Sequence, residues 1–245
     1  MQQSNSYIII FAAILTVVIG GLLSMAAIGL KPFQEVAIEL DTKKQILGAV
    51  TELKDGDDVL KIFDEKIKSI VIDFDGNTVA DMNPIDLNME KEYKKAPKDR
   101  LYPVYMYMNE KDPKKVDSYI IAMFGNGLWD KIWGYLAIKP DLNTVVGIAL
   151  DHKGETPGLG ARITETTVKD RYKNKKILSE NGFLVGIEMM KGERNDPSLF
   201  GPNQVDGLSG ATLTAVGVNK MIKKYASYYQ AYFHKVKSSQ SVATN

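Results

Sequence analysis

The chain has 245 residues, with 31 basic and 30 acidic side chains, two histidines and no cysteine. That length suits one large or two small domains. The missing cysteine excludes a disulfide scaffold, Cys-ligated zinc, iron–sulfur clusters and thiol catalysis. The histidines, His152 and His234, lie too far apart in sequence to suggest a histidine-rich metal site. A formal net charge of +1 gives no reason to expect nucleic acid as a partner.

The charge is unevenly placed, since residues 1–30 carry none of it. Residues 7–30 (YIIIFAAILTVVIGGLLSMAAIGL) form an uncharged run of roughly 36 Å as a helix. That is enough to cross a hydrocarbon core of about 30 Å. Its many Leu, Ile, Val and Phe side chains make insertion favourable by on the order of 6 kcal/mol. A cleaved signal peptide is the main rival, and Ser24, Ala26 and Ala27 supply the small residues cleavage needs. The preceding MQQSNS, however, has no basic side chain, and the apolar run is long for a signal. Residues 1–31 are therefore expected to be an uncleaved single-pass anchor in the lipid bilayer. Lys31, Lys43 and Lys44 follow the span, which by charge alone leaves the rest of the chain in the cytoplasm. Glu35, Glu39 and Asp41 offset that bias.

Residues 32–66 read as a juxtamembrane helical segment, interrupted at Asp55, Gly56, Asp57 and Asp58. Residues 67–73 (IKSIVID) alternate as a strand, with a turn at 75–77. The stretch 81–99 is polar, Lys-rich and holds two prolines, which predicts a loop. Further strands are expected at 102–108, 118–124, 134–138, 144–150 and 183–187. Helical patterns cover 165–178 and 218–236. In the second, Val218, Met221, Ile222, Tyr225, Tyr229, Tyr232, Phe233 and Val236 repeat at three and four, a core-packing stripe. Residues 238–245 are expected to fray. Few strands are separated by helices able to make βαβ crossovers, so 67–237 is expected to be one mixed α+β domain on an antiparallel-rich sheet.

Two glycine-containing segments carry candidate chemistry. GETPGLG (154–160) follows a strand; it reads as a tight turn, or as a rigid loop projecting Glu155 and Thr156. DGLSGATLT (206–214) immediately precedes the C-terminal amphipathic helix. It reads either as a plain capped helix start or as a phosphate site, where small residues admit a ligand and the helix N-terminus favours an anion. Neither a GxxxxGK[ST] loop nor a GxGxxG dinucleotide fingerprint is present.

DGLSGATLT resembles the flavinylation motif of the FMN-binding domain family, found in the C subunit of the sodium-translocating NADH:quinone oxidoreductase and in the G subunit of the Rnf complex. GNGLWDKIWGYLAI (125–138), GETPGLG and DGLSGATLT occur in the family's order after one N-terminal transmembrane helix. The GLW element and the long N-terminal extension favour the quinone reductase subunit. The resemblance implies FMN bound covalently, as a phosphoester to Thr212, by a separate flavin transferase that uses FAD. It implies that Ser209, Gly210, Ala211, Leu213 and Thr214 shape the phosphate turn. Asp206 and Gly207 would serve motif geometry, or Asp206 a metal-assisted transfer from FAD. Glu155, Thr156 and Leu159 resemble the family's ring contacts. Trp129 could edge the ring or simply be core, and Lys191 could place a cation near the flavin or be solvated.

The resemblance further implies a domain on the periplasmic side of the cell inner membrane, against the charge count. It implies an electron relay among the other subunits of a sodium-pumping NADH:quinone reductase complex. No independent NADH site is expected, because the dinucleotide fingerprint is missing. The alternatives are an Rnf-type subunit, an unflavinylated, membrane-tethered scaffolding domain, and a free-standing flavin-dependent reductase.

Overall fold

A computed structural model describes residues 4–243, so the first three residues and the last two of the expected frayed tail lie outside it. The chain divides into two units, Met1–Asp41 and Thr42–Asn245. The first is supplied by α1 (Asn5–Gly48), whose apolar part has a mean hydropathy of 2.7 over eighteen residues, none of them buried. This helix is long and apolar enough to cross a membrane. The sequence ends the anchor at residue 31, but α1 runs on through Pro32. Proline there removes one N–H and hence one bond to the Ile28 carbonyl. The Glu, Ala, Leu, Lys and Gln that follow are good helix formers and carry the helix onward.

In the second unit, the end of α1 buries Ile46 and Leu47. After the expected break, α2 (Val59–Lys66) starts at Asp58, whose side chain accepts from the Lys61 N–H at 3.1 Å. Next come β1 (Ile67–Ile72) and β2 (Thr78–Val79). The stretch 81–99 corrects the expectation of a loop. It contains two 3-10 turns, Pro84–Asp86 and Pro97–Asp99, with α3 (Met89–Lys94) between them. Asn83 and Asn88, polar residues that suggest a loop, act here as N-caps.

The strands β3 (Tyr102–Met108), β4 (Val116–Asn126), β5 (Lys131–Ile138) and β6 (Val145–His152) follow the expected ones closely. With β1 and β2 they form one antiparallel sheet in the order β2-β1-β3-β4-β5-β6. Its central strands are covered on both faces. In β4, Tyr119, Ile121 and Met123 join one core cluster, while Ile120 and Ala122 join the other with Ile46, Leu47 and Phe63. This explains why SYIIAMF is continuously apolar rather than alternating.

Three helix and strand expectations beyond β6 need correction. The helix expected over 165–178 is only α4 (Thr166–Asp170). The chain then turns at Asn174 (φ 62°) so that Asn174 N–H and Lys175 O bond to Val145 at the start of β6. Residues 183–187 are not a strand. Gly186 takes φ 77°, and the N–H groups of Val185 and Gly186 both donate to the Ile177 carbonyl, which makes a turn. The short β7 (Glu188–Met189) follows and pairs in parallel with β8 (Gln204–Val205).

The C-terminal helix begins earlier than its apolar stripe and is two helices, α5 (Thr212–Tyr228) and α6 (Gln230–Ala243). They meet at Tyr229, fully buried, whose hydroxyl donates to Pro103 O at 2.8 Å and lies 3.2 Å from Ala122 O. That anchors the junction on β3 and β4. The stripe packs on the sheet as expected, with Val218, Met221, Ile222 and Tyr225 buried. The tail expected to fray from residue 238 stays helical to Ala243.

Candidate functional site

The three motif segments, distant in sequence, meet at the N-terminal end of α5. Their junction is Glu155, 4% exposed. Its Oε2 accepts from Thr214 Oγ1 at 2.6 Å, and its Oε1 from the Trp129 N–H at 2.9 Å. One carboxylate thus ties the ETPGLG loop to both the GNGLW loop and the SGATLT helix start. Burial opposes its ionisation, but the hydrogen bond from Thr214 and those from the backbone of Trp129, Asp130 and Leu128 outweigh burial and keep its pKa below the ordinary value. Glycine is required around it. A Cβ on Gly127 or on Gly160 would collide with a Glu155 carboxylate oxygen.

Asp206 is buried and turned inward, accepting from the N–H groups of Arg194, Asn195 and Gly207 at 2.7–3.0 Å. These bonds fix the backbone around the start of the DGLSGATLT segment. Gly207 presses on the loop after β7, where a Cβ would collide with the Met190 carbonyl oxygen. Beyond it Ser209 and Gly210 are exposed, and Ala211 is the N-cap of α5. The sequence expects a Ser or Thr cap; Ala211 supplies no side-chain oxygen, so the first turn of α5 starts without a side-chain cap. Thr212, the first residue of the helix, is half-buried. Of the three hydroxyls in this segment, that of Thr214 is buried and committed to Glu155.

An ion-pair cluster that the sequence did not single out braces the same loop. Glu193 accepts from Arg162 at 2.8 Å and from Arg171 at 2.7 Å. Arg171 also donates to the carbonyls of Asp206 and Gly207. The hydrogen bond from Arg162, then that from Arg171, holds the Glu193 carboxyl at about 2, against an ordinary 4.5. A carboxylate with a lower pKa folded than unfolded adds stability above its unfolded value, and that stability disappears as pH falls through the folded value. Stability is therefore expected to decline between about pH 4.5 and pH 2. Urea unfolding across that range should show a shallower decline for Glu193→Gln.

Around the helix start lies a rim of exposed apolar side chains: Leu128 (45%), Trp129 (70%), Leu159 (41%) and Leu213 (59%). Trp129 is thus not a core residue. Thr156 and Lys191 are also exposed, Thr156 on the turn before Leu159 and Lys191 just after β7. These features suit FMN. An uncapped helix start whose first turn has no acidic side chain accepts a phosphate, and an apolar rim takes a planar ring.

Residues 127–227 match the FMN-binding domain family. The chain is 31% identical to the C subunit of the Na(+)-translocating NADH-quinone reductase of Pseudomonas aeruginosa, over 90% of this chain and 91% of that one. Against the same subunit of Neisseria meningitidis serogroup B the identity is 32%, covering 96% and 95%. The crystal structure of the Parabacteroides distasonis C subunit superposes with a TM-score of 0.71 at 28% identity, covering 83% of this chain and 96% of that one. The chain belongs to the family formed by the C subunit of the Na(+)-translocating NADH-quinone reductase.

Proposed function

We propose that this subunit carries FMN as a phosphoester on Thr212 Oγ1 and relays electrons within a sodium-translocating NADH-quinone reductase. The observation that carries the reading is the start of α5: in a chain of this family, the first residue of the helix is a threonine, and no side chain caps that turn. Attachment takes FAD as donor. Thr212 Oγ1 bonds to the flavin-side phosphorus, the pyrophosphate bond breaks, AMP leaves with the bridging oxygen, and the hydroxyl proton is released. A separate flavin transferase performs this step.

When bound, FMN supplies reversible electron uptake. The chain's own part is placement. Ser209, Gly210 and Ala211 form the turn leading to the phosphate, and the α5 N-terminus stabilises its charge. Leu128, Trp129, Leu159 and Leu213 offer the ring an apolar surface, with Thr156 and Lys191 at its margin. Glu155 ties the ETPGLG loop to the GNGLW loop and the start of α5 beside the ring, and Asp206 ties the segment before Thr212 to the loop after β7. Residues 1–31 anchor the chain in the inner membrane, and 32–66 are the juxtamembrane helical segment. Residues 67–237 form the FMN-binding domain, on the periplasmic side. NADH oxidation and quinone reduction take place on other subunits.

The test is transferase dependence. The full chain, made in a host with or without a flavin transferase, is run on a denaturing gel under ultraviolet light. A fluorescent band only with the transferase supports the proposal. A dark band in both hosts, beside a fluorescent flavinylated control, overturns it.

A further inference from the structure

A cavity of about 460 Å³ lies beside α5 and shares only Leu128 and Leu213 with the apolar rim described above. It runs from Leu213 and Val216 near the start of the helix to Tyr228 at its end, roughly 22 Å along the axis. Its polarity is graded. Leu128, Leu213 and Val216 line the end near the helix start, beside Asn126, whereas Lys220, Lys224 and Arg100 line the remainder, and no acidic residue lines it at all.

Two buried groups in this cavity lack the same thing. Arg100 is only 9% exposed, and its hydrogen bonds go to backbone carbonyls, from Nε to Lys95 O and from Nη2 to Tyr93 O, both at 2.8 Å. Its guanidinium lies over the rings of Tyr93 and Tyr228, at 5.1 and 5.7 Å. Among the described residues no carboxylate pairs with it, and none of them hydrogen-bonds the hydroxyl of Tyr225, which is 1% exposed. Burial pushes that phenol well up, so it remains an O–H donor. A buried cation without a counter-charge and a buried donor without an acceptor are both costly. One anionic oxygen group would satisfy both.

We propose that this cavity binds a small organic anion, a carboxylate or phosphate monoester on an apolar body. The acid group meets Arg100 and the Tyr225 hydroxyl, with Lys220 and Lys224 adding attraction, and the body points toward Leu213 and Val216. Thr212 does not line the cavity, although Leu128 and Leu213 border both it and the surface proposed for the flavin ring, so the anion is read in the chain without flavin.

The test is calorimetric titration of the detergent-solubilised full chain with benzoate and with phenyl phosphate, using acetate and inorganic phosphate as head groups without a body. One-to-one binding of benzoate or phenyl phosphate, tighter than of its bare head group, is expected, and the better of the two tells carboxylate from phosphate. Tyr225→Phe should weaken it by about tenfold or more. The same substitution should leave thermal stability unchanged or raised, because the hydroxyl lost has no partner. Arg100→Gln should abolish binding. Thr212→Val should bind as the unaltered chain does, which separates this site from the flavin proposal. Absence of binding by both aromatic anions, or equal affinity in Tyr225→Phe, overturns the proposal. Binding of a Glu-rich peptide in their place would also overturn it, making the cavity a docking site for a protein segment.

Discussion

Replacing Thr212 with valine is expected to yield a folded chain without flavin, and a complex whose quinone reductase activity falls to background. Valine matches threonine in shape and removes only the hydroxyl. Thr212 is half-buried at the first position of α5, and among the described residues none is held by a hydrogen bond from its hydroxyl. The stability change should therefore stay within about 1 kcal/mol. Neighbouring hydroxyls cannot easily take over. Thr214 is buried and donates to Glu155 at 2.6 Å, and Ser209 lies in the turn before α5, outside the helix whose N-terminus receives the phosphate. Thr212→Ser keeps a nucleophilic oxygen at the same place and should restore part of the flavin. The measurements are in-gel flavin fluorescence and NADH-driven quinone reduction by the purified complex. Normal activity in the valine variant would exclude Thr212 as the attachment point.

The second large effect is expected at Glu155, and it is structural before it is functional. Glu155→Leu leaves the Thr214 hydroxyl and the backbone N–H groups of the GNGLW loop without their acceptor, in a place water barely reaches. Each buried donor left without its acceptor in this way costs about 1–3 kcal/mol, and several are stranded together. Glu155→Gln keeps the size and one acceptor oxygen, but turns an NH2 toward a donor; about 1–3 kcal/mol is expected. Urea unfolding of the full chain reads both. Because Glu155 sets the spacing between the ETPGLG loop and the start of α5, flavin incorporation should fall in the same order, leucine lowest. A leucine variant as stable as the unaltered chain would show that the three loops are held together by something else.

Much of this fold is legible in the sequence, for identifiable reasons. The strands from IKSIVID to TVVGIAL are dense in β-branched and aromatic residues, and a sheet covered on both faces leaves long apolar runs as its trace. The stripe from Val218 to Phe233 gives the helices packed on that sheet. What stays hidden is set by long-range contacts. α3 is a helix of mostly charged residues, held by an Asn88 cap and by Glu92, which is buried and ion-paired to Lys95. No periodicity announces it. Residues 183–187 have strand composition, but the turn at Gly186 limits their pairing to a single bridge, Leu184 with Leu178. The helix break at Tyr229 depends on carbonyls more than a hundred residues earlier.

The site divides in the same way. Its motif residues could be picked out because glycines and small residues cluster around Thr212, and the family resemblance supplied their roles. The meeting of Glu155 with Thr214 could not be read from spacing, since 59 residues separate them. The Arg162–Glu193–Arg171 brace lies in stretches that look like ordinary solvated charge. Arg100 carries no signal in the sequence and Tyr225 reads only as part of the core-packing stripe, because what sets them apart is the partner each lacks.

The most direct measurement is the mass of the full chain, purified from a host with an active flavin transferase and then mapped by peptide. A gain equal to FMN less one water is expected, on the peptide that contains Thr212 and at that residue. An unmodified peptide in a host that flavinylates a control protein, or flavin located on Ser209 or Thr214, would contradict it.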